Sequence, residues 1–297
     1  MSEEQKRSLP TVDADTENRI QHIRIYALDM DGTIYLGENW IDGAKRFLER
    51  IQETGREYFF LTNNSSKNPK AYVEKLGRMG FSTDLDHVIS SGQATVWYLQ
   101  KNYPKKKVFL LGNELLRAEF AEAGIDLTGS GVGDNSWQEA QLVVTGFDTT
   151  LDYAKMCQVC DLVRKGVPYI ATHPDFNCPT ETGFIPDIGA IAAFIQASTG
   201  RKPDTVVGKP YEPIAQYLLE RVEMLRQKKH PEMKDATVGF GEIAMVGDRL
   251  YTDVACGVNA GMTGILVLSG EATLEDARVS EVRPDLIYHS VREIDLG

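Results

Sequence analysis

Short apolar runs alternate with amphipathic stretches along the first third of the chain. An apolar run at residues 23–28 is followed by a helical pattern that ends at Gly55, and a second apolar run covers residues 58–61. Another helical pattern at residues 69–79 leads to a short apolar run at 87–89. Because strands that alternate with helices are typical of a parallel sheet with crossover connections, this pattern predicts an α/β fold.

The last third of the chain repeats this alternation. The predicted strands are residues 205–207, 243–246, 264–268 and 285–288, and the predicted helices are residues 212–226 and 252–259. The polar segment 227–241 contains three lysines and a proline. We expect it to be a solvated connection and assign it no function.

The middle of the chain has strand and helix patterns of its own. Strands are predicted at residues 108–111, 141–145 and 168–172, with a helix at 151–165. If the outer thirds share one sheet, the middle is an inserted domain with linkers near residues 91–92 and 199–203. The predicted organisation is a disordered tail at 1–20, a Rossmann-like parallel-sheet core from residues 21–92 and 201–297, and an inserted α/β domain at 93–200.

Composition and charge narrow the class of protein. The formal net charge is -11, from 32 basic and 43 acidic residues. This balance argues against general binding to nucleic acid or to an anionic membrane. The chain has no apolar stretch of about 18 residues and no signal-peptide pattern, so we expect a soluble cytoplasmic protein. Its four cysteines are too few for a disulfide scaffold.

Chemically reactive side chains follow four of the predicted strands. The four segments are Asp29-Met30-Asp31-Gly32-Thr33, Thr62-Asn63-Asn64-Ser65-Ser66, Gly208-Lys209-Pro210 and Gly247-Asp248-Arg249-Leu250-Tyr251-Thr252-Asp253. Each segment alone is also typical of a turn or a helix cap. Together they supply what phosphoryl transfer requires: a carboxylate nucleophile, a second carboxyl group for proton transfer, a divalent-cation site and donors for phosphate oxygens.

The spacing of Asp29 and Asp31 requires a local turn. Side chains two residues apart lie on the same face of a strand only while the strand continues, and Asp29 and Asp31 lie where it ends. For both carboxyl groups to reach one ligand beyond that end, the chain has to bend after Asp29. Gly32 permits such a bend because it lacks a Cβ atom.

These segments resemble the motifs of the haloacid dehalogenase superfamily of phosphatases. The matching motifs are D-x-D-G-T at residues 29–33, a threonine at Thr62, the lysine Lys209, and G-D-x-x-x-T-D at residues 247–253. The resemblance covers nearly the whole chain. It implies that Asp29 is the nucleophile, which forms an aspartyl-phosphate, and that Asp31 is the general acid and base.

The resemblance also implies how the site holds phosphate and metal. The phosphate-binding residues would be Thr62, Asn63 and Lys209, and the cofactor would be Mg²⁺. The metal ligands would be the carboxylates of Asp29 and Asp248 and the main-chain carbonyl of Asp31, with Gly32, Asn64 and Asp253 in supporting roles.

The inserted domain resembles the large α/β cap of subfamily IIA, which includes NagD and the 4-nitrophenyl phosphatases. Residues 171–175 are similar to the A-T-N-P-D loop of that subfamily, with His173 in place of the asparagine. His173, Asp175 and Asp187 are therefore candidates for contact with the leaving group. For two of them we favour a structural interpretation, in which neighbouring main chain satisfies the His173 ring and Asp187 caps the helical run that begins near Gly189.

The leading hypothesis is a Mg²⁺-dependent phosphatase that acts on a small phosphorylated metabolite. A phosphotransferase or mutase could use the same intermediate, although Asp31 favours hydrolysis because it can activate water. Two hypotheses without turnover are a receiver module, which the large insertion disfavours, and a catalytically silent protein that binds a phosphorylated ligand. The resemblance also suggests a homodimer.

Overall fold

The computed structural model describes residues 19–129, 134–180, 183–231 and 237–296. Most of the predicted tail, residues 1–18, and residues 232–236 of the predicted connection lie outside this description. The chain divides into two compact units. The first contains Met1–Leu61, Val73–Ile89 and Ala215–Gly297, and the second contains Thr62–Tyr72 and Ser90–Ile214.

The strands and helices follow each other along the chain with these bounds. The strands are β1 Ile25–Leu28, β2 Tyr35–Leu36, β3 Asn39–Trp40, β4 Glu57–Thr62, β5 Val88–Ser90, β6 Val108–Leu111, β7 Leu127–Thr128, β8 Leu142–Thr145, β9 Tyr169–Ala171, β10 Asn177–Thr180, β11 Gly183–Pro186, β12 Thr205–Val206, β13 Ile243–Gly247, β14 Thr263–Val267 and β15 Leu286–Tyr288. The helices are α1 Ala44–Glu53, α2 Pro69–Arg78, α3 Ser91–Asn102, α4 Glu114–Glu122, α5 Tyr153–Arg164, α6 Ile188–Thr199, α7 Glu212–Lys229, α8 Ala255–Ala260 and α9 Leu274–Val279.

A six-stranded sheet with the order β15-β14-β13-β1-β4-β5 contains the first and last predicted strands of the core. The strand β1 lies between β13 and β4 and is parallel to both. All four residues of β1 are buried, as expected for a strand whose two faces are both covered. The α/β prediction is confirmed, and the carboxyl ends of β1 and β13 lie side by side.

A five-stranded sheet with the order β12-β9-β8-β6-β7 forms the centre of the second unit. In this sheet β12 is parallel to β9, β9 to β8, β8 to β6 and β6 to β7. The helices α5 and α6 pack on this sheet through an apolar cluster that includes Val159, Val163, Tyr169, Ile188 and Ile195. The prediction that the middle of the chain builds its own core is confirmed.

The predicted end of the inserted domain near residue 200 is placed too early in the chain. Thr205 pairs with Ile170 and Val206 pairs with Ala171, so β12 belongs to the five-stranded sheet and not to the core. The second unit accordingly continues to Ile214. The local apolar pattern indicated a strand, but such a pattern carries no information about which sheet the strand joins.

Other elements differ from the predictions at their ends. The predicted linker near residue 91 is the first turn of α3, which Ser90 and Gln93 close with reciprocal capping hydrogen bonds. The helix α7 continues to Lys229, where Arg226, Lys228 and Lys229 lie in its last turn. Cations stabilise this end of a helix, so the lysines extend the helix rather than starting a connection.

Over the part of the chain that the structure describes, none of the helices combines the length and the apolar composition needed to cross a bilayer.

Candidate active site

The chain turns sharply after β1. The amide of Asp29 still continues the sheet by donating to the carbonyl of Val246 (2.8 Å), and the carbonyl of Met30 then accepts from the amides of residues 33–35 (3.3, 2.9 and 3.2 Å). Gly32 has a φ of 86°, a conformation that residues with a Cβ atom rarely adopt. The predicted turn at Gly32 is confirmed.

Three carboxylates of the first unit lie close together at this turn. One oxygen each from Asp29, Asp248 and Asp253 lies within 4.8 Å of the others. Asp248 directly follows β13, and Asp253 lies in a π-helical turn, Leu250–Val254. Both side chains are buried. The structure therefore adds Asp253 to the predicted pair of carboxylates, Asp29 and Asp248.

The side chain of Asp31 is not part of this group among the described residues. Asp31 is exposed, whereas Asp29 is half-buried. Both observations agree with the two roles that the resemblance implies. A proton donor and acceptor needs access to the leaving group and to water, and the implied metal ligand of Asp31 is its main-chain carbonyl.

The carboxyl group of Asp248 is in an environment that disfavours its negative charge. Burial, together with the charges of Asp29 and Asp253, raises the pKa of Asp248 to about 8. Its Oδ2 accepts a hydrogen bond from the amide of Glu271 (2.7 Å), while its Oδ1 is buried and has no hydrogen-bond partner in the described part of the chain. A cation at this cluster would offset the repulsion and occupy the unsatisfied oxygen.

Main chain encloses Asp248 on two sides. A methyl group added at Gly270 would lie 2.0 Å from Oδ2 of Asp248, and one added at Gly32 would lie 2.4 Å from the same atom. The hydroxyl of Ser269 donates to the carbonyl of Gly32 (2.7 Å), which joins the two walls. Sequence reasoning missed residues 269–271, although they follow the predicted strand β14 as the other site segments follow theirs.

The predicted phosphate-binding residues belong to the second unit. The side-chain amide of Asn63 bonds the main chain of Lys209 twice: its Oδ1 accepts from the Lys209 amide (2.8 Å), and its Nδ2 donates to the Lys209 carbonyl (3.0 Å). Thr62 accepts from the amide of Asn64 through its hydroxyl (3.2 Å). The Oδ1 of Asn64 in turn accepts from the amide and hydroxyl of Ser66 (2.9 and 2.7 Å).

The three candidates for leaving-group contact are buried and lie together. The exposed fractions of His173, Asp175 and Asp187 are 1%, 6% and 3%. The Nε2 of His173 lies 3.0 Å from Oδ1 of Asp187, and its Nδ1 lies 2.9 Å from the hydroxyl of Thr172. The ring is thus held by side chains, so the expectation of main-chain partners is wrong.

Asp187 is the N-cap residue of α6. Its carboxylate accepts from the amide of Ile188 (2.6 Å) and also faces the His173 ring. The capping interpretation of Asp187 is confirmed. Burial lowers the pKa of His173, but the carboxylate of Asp187 outweighs it, so the pKa is raised above its ordinary value. The Asp187 carboxylate therefore favours the charged form of the His173 ring, and the two side chains meet at the start of α6.

Two family models and a curated relative match most of the chain. Residues 26–126 match the family described as haloacid dehalogenase-like hydrolase, and residues 206–294 match the family described as HAD-hydrolase-like. An acid sugar phosphatase of Staphylococcus aureus (strain MRSA252) is 34% identical over 274 residues, which cover 92% of this chain and 97% of the relative.

Solved structures show the same similarity. A 4-nitrophenylphosphatase from Thermotoga maritima is 40% identical with a TM-score of 0.79, and the match covers 94% of this chain and 99% of that one. NagD from Escherichia coli K-12 is 29% identical with a TM-score of 0.79, and the match covers 93% and 99% of the two chains.

The chain belongs to the haloacid dehalogenase-like hydrolases. Within them it is a phosphatase of subfamily IIA, with a parallel-sheet core and an inserted α/β cap, as its motifs predicted. An enzyme of this class is neither a receiver module nor a silent binding protein.

Proposed function

We propose that the protein is a Mg²⁺-dependent phosphomonoesterase that hydrolyses a small phosphorylated metabolite through an aspartyl-phosphate on Asp29. The observation that carries this proposal is the group of three carboxylates at the turn after β1, with the buried, unpaired Oδ1 of Asp248. Such an arrangement of hard oxygen atoms suits a divalent cation that also takes phosphate oxygens as ligands.

The residues present fit Mg²⁺. The carboxylates of Asp29 and Asp248 and the main-chain carbonyl of Asp31 would hold it, and Asp253 is close enough to orient bound water. When bound, the cation supplies positive charge that offsets the repulsion between the carboxylates and the phosphate.

The chemistry needs two carboxyl groups in different roles. The Asp29 carboxylate attacks phosphorus and forms an acyl phosphate while the bond from phosphorus to the ester oxygen breaks. Asp31 gives its proton to that oxygen, and the alcohol leaves. Asp31 then takes a proton from water, the hydroxide oxygen bonds to phosphorus, and the Asp29 carboxylate departs, which releases inorganic phosphate.

The proposal also needs donors for the phosphate oxygens. Thr62 and Lys209 have this role, with Lys209 as the positive charge, whereas Asn63, whose two side-chain amide hydrogens are engaged within the protein, acts through Lys209. Lys209 is only 1% exposed, so its charge acts in a region of low effective dielectric constant. This burial favours a strong interaction with a dianionic phosphoryl group.

Sugar phosphates and simple aryl phosphates are the substrate classes that the relatives' names suggest. We extend the first class, a phosphorylated sugar or similar small alcohol, to this protein. All three side chains are buried, His173 and Asp187 contact each other, and Asp175 accepts from Asn63, which argues against direct contact of these side chains with the leaving group. Selectivity is then a property of other cap residues.

The test is a phosphate-release assay on wild-type protein and Asp29→Asn with Mg²⁺ and a panel of sugar phosphates. We expect Asp29→Asn to retain its circular dichroism spectrum and lose turnover, and EDTA to stop the wild-type enzyme reversibly. Acid quenching during turnover of a radiolabelled ester should trap label on the peptide that contains Asp29. Label on another peptide would refute the assignment, and transfer to an added sugar phosphate faster than release would identify a phosphotransferase.

A further inference from the structure

The position of the Lys209 main chain depends on one side chain. The two hydrogen bonds between the Asn63 amide and Lys209 engage both the N–H and the carbonyl of the same residue (2.8 and 3.0 Å). A pair of antiparallel hydrogen bonds of this kind fixes both the distance and the tilt of the lysine backbone. The orientation of the Asn63 amide therefore sets the point from which the Lys209 side chain starts.

Asp175 fixes the orientation of that amide. The Nδ2 of Asn63 also donates to Oδ1 of Asp175 (2.9 Å). A side-chain amide has two N–H donors, and here both are committed within the protein. An ionised carboxylate only accepts hydrogen bonds, so a flipped Asn63 would place its oxygen against the carboxylate of Asp175 and lose all three contacts.

The engaged amide changes the role expected of Asn63. Its side chain has no hydrogen left for a phosphate oxygen, and the residue is only 5% exposed. The contribution of this side chain to phosphate binding is therefore indirect and passes through Lys209.

Asp175 itself is anchored to the start of α6. Its carbonyl accepts from the amide of Gly189 (2.7 Å), and the carbonyl of Phe176 accepts from the amide of Asp187 (2.9 Å). A methyl group at Gly189 would lie 2.3 Å from the carbonyl oxygen of Pro174, so the loop and the helix are in close contact. The contact between the His173 ring and the Asp187 carboxylate (3.0 Å) joins the same two segments.

We propose that Asp175 is a positioning residue that sets the Lys209 main chain through the Asn63 amide, and thereby the affinity of the site for phosphate. The proposal rests on the proposed role of Lys209 in binding phosphate. All the residues in this chain of contacts belong to the second unit. Asp175 does not touch substrate; it selects one of two orientations of an amide.

The test compares Asp175→Leu with Asp175→Asn. Leucine has a similar size but no acceptor, whereas asparagine keeps an oxygen that can accept from Asn63. The readouts are the affinity for inorganic phosphate with Mg²⁺ present, by titration calorimetry, and KM and kcat for 4-nitrophenyl phosphate. Asp175→Leu should weaken phosphate binding about 10- to 100-fold, as expected for loss of a hydrogen bond to a charged group, and Asp175→Asn should recover most of it.

Asp152→Ala is the matched control. The Asp152 carboxylate caps α5 in the same unit by accepting from the amide of Lys155 (2.8 Å), away from the contacts of Asn63. This variant should lower the melting temperature of the unit and leave phosphate affinity unchanged. Equal loss of phosphate affinity in Asp152→Ala and Asp175→Leu would mean that general destabilisation, and not positioning, explains the effect.

Lys209→Met separates this inference from the proposed function. If Lys209→Met binds phosphate as the wild type does, the role of Lys209 in the proposed function is wrong. If Lys209→Met loses affinity and Asp175→Leu does not, only the positioning role is wrong. In the Lys209→Met background, Asp175→Leu should change affinity less than about twofold, because residues that act through one another are not additive.

A larger further loss in that background would also overturn the inference, because Asp175 would then act by another route. Asp175→Ser, which is polar but too short for the contact, replaces Asp175→Leu if circular dichroism shows that the leucine variant does not fold.

Discussion

A single methyl group at Gly270 should disrupt the carboxylate group after β13. It would lie 2.0 Å from Oδ2, 2.5 Å from Cγ and 2.7 Å from Cβ of Asp248. Rotation of the carboxyl group cannot relieve the contact with Cβ, because that atom moves only with the backbone. Ordinary contact between such atoms is about 3.5–4.0 Å, so Asp248 or the loop must move by about 1 Å.

A displacement of this size has two measurable costs. Overpacking destabilises a fold by about 1–3 kcal/mol, which urea unfolding detects. Displacing a site residue by about 1 Å lowers kcat/KM about 100-fold, which phosphate release with Mg²⁺ measures. Both effects are expected because the Glu271 amide already holds the same carboxylate oxygen of Asp248, and the main chain at Gly32 also lies against that oxygen.

The control for Gly270→Ala is Gly241→Ala. Gly241 belongs to the same unit, and among the described residues other than its chain neighbours no atom lies within 4 Å of a methyl group placed there; its φ is not in the left-handed region. This variant should keep wild-type activity. Activity of Gly270→Ala within twofold of wild type, with unchanged urea stability, would refute the argument that main chain confines Asp248.

Two further predictions concern stability and pH. Glu119 lies on α4 with its Oε2 2.5 Å from the position of a Cβ at Gly92, and burial raises its pKa to about 7 from the ordinary 4.5. Between these two pH values the folded state holds a proton that the unfolded state releases, so the stability of the wild type falls as pH rises. Glu119→Gln should therefore raise the free energy of unfolding in urea by up to about 3 kcal/mol above neutral pH and leave it unchanged near pH 4. An equal gain at both ends of this range would rule out the raised pKa. For His87, burial lowers the pKa, but hydrogen bonds with Glu57 and Asp84 outweigh burial and raise the pKa above 6.5. The contribution of the charged His87 to folding stability is complete below the ordinary pKa and is lost as pH rises through the folded pKa. The melting-temperature advantage of wild type over His87→Asn should therefore shrink from about pH 5 to about pH 8. A constant difference would exclude a charged His87.

The sequence predicts much of the site because the local chemistry of strand ends is visible in it. Asp29 and Asp248 each follow an apolar run, and neighbouring parallel strands bring such ends together. The turn at Gly32 follows from the glycine itself. What the sequence does not indicate is the enclosure by Gly270, because a glycine in a loop is typical of many turns and does not reveal what it touches.

Long-range contacts set the limit of prediction in the second unit. Asn63 and Asp175 are 112 positions apart, and Asn63 also contacts Lys209, which follows β12, the partner of β9. The pattern at residues 205–207 indicates a strand but not its partner. His173 and Asp187 are separate loop positions in the sequence, and only the fold shows that their side chains meet at the start of a helix.

The buried group of Asp29, Asp248 and Asp253 has a consequence for protein engineering. Like charges in a poorly hydrated place oppose folding, so substitution of Asp248 by a neutral residue of similar size is expected to make the protein more robust to heat while ending its chemistry. Screening for heat resistance alone would therefore select variants that have lost these carboxylates and, with them, turnover. Engineering of more thermostable variants has to keep these three residues unchanged and measure turnover together with thermal stability.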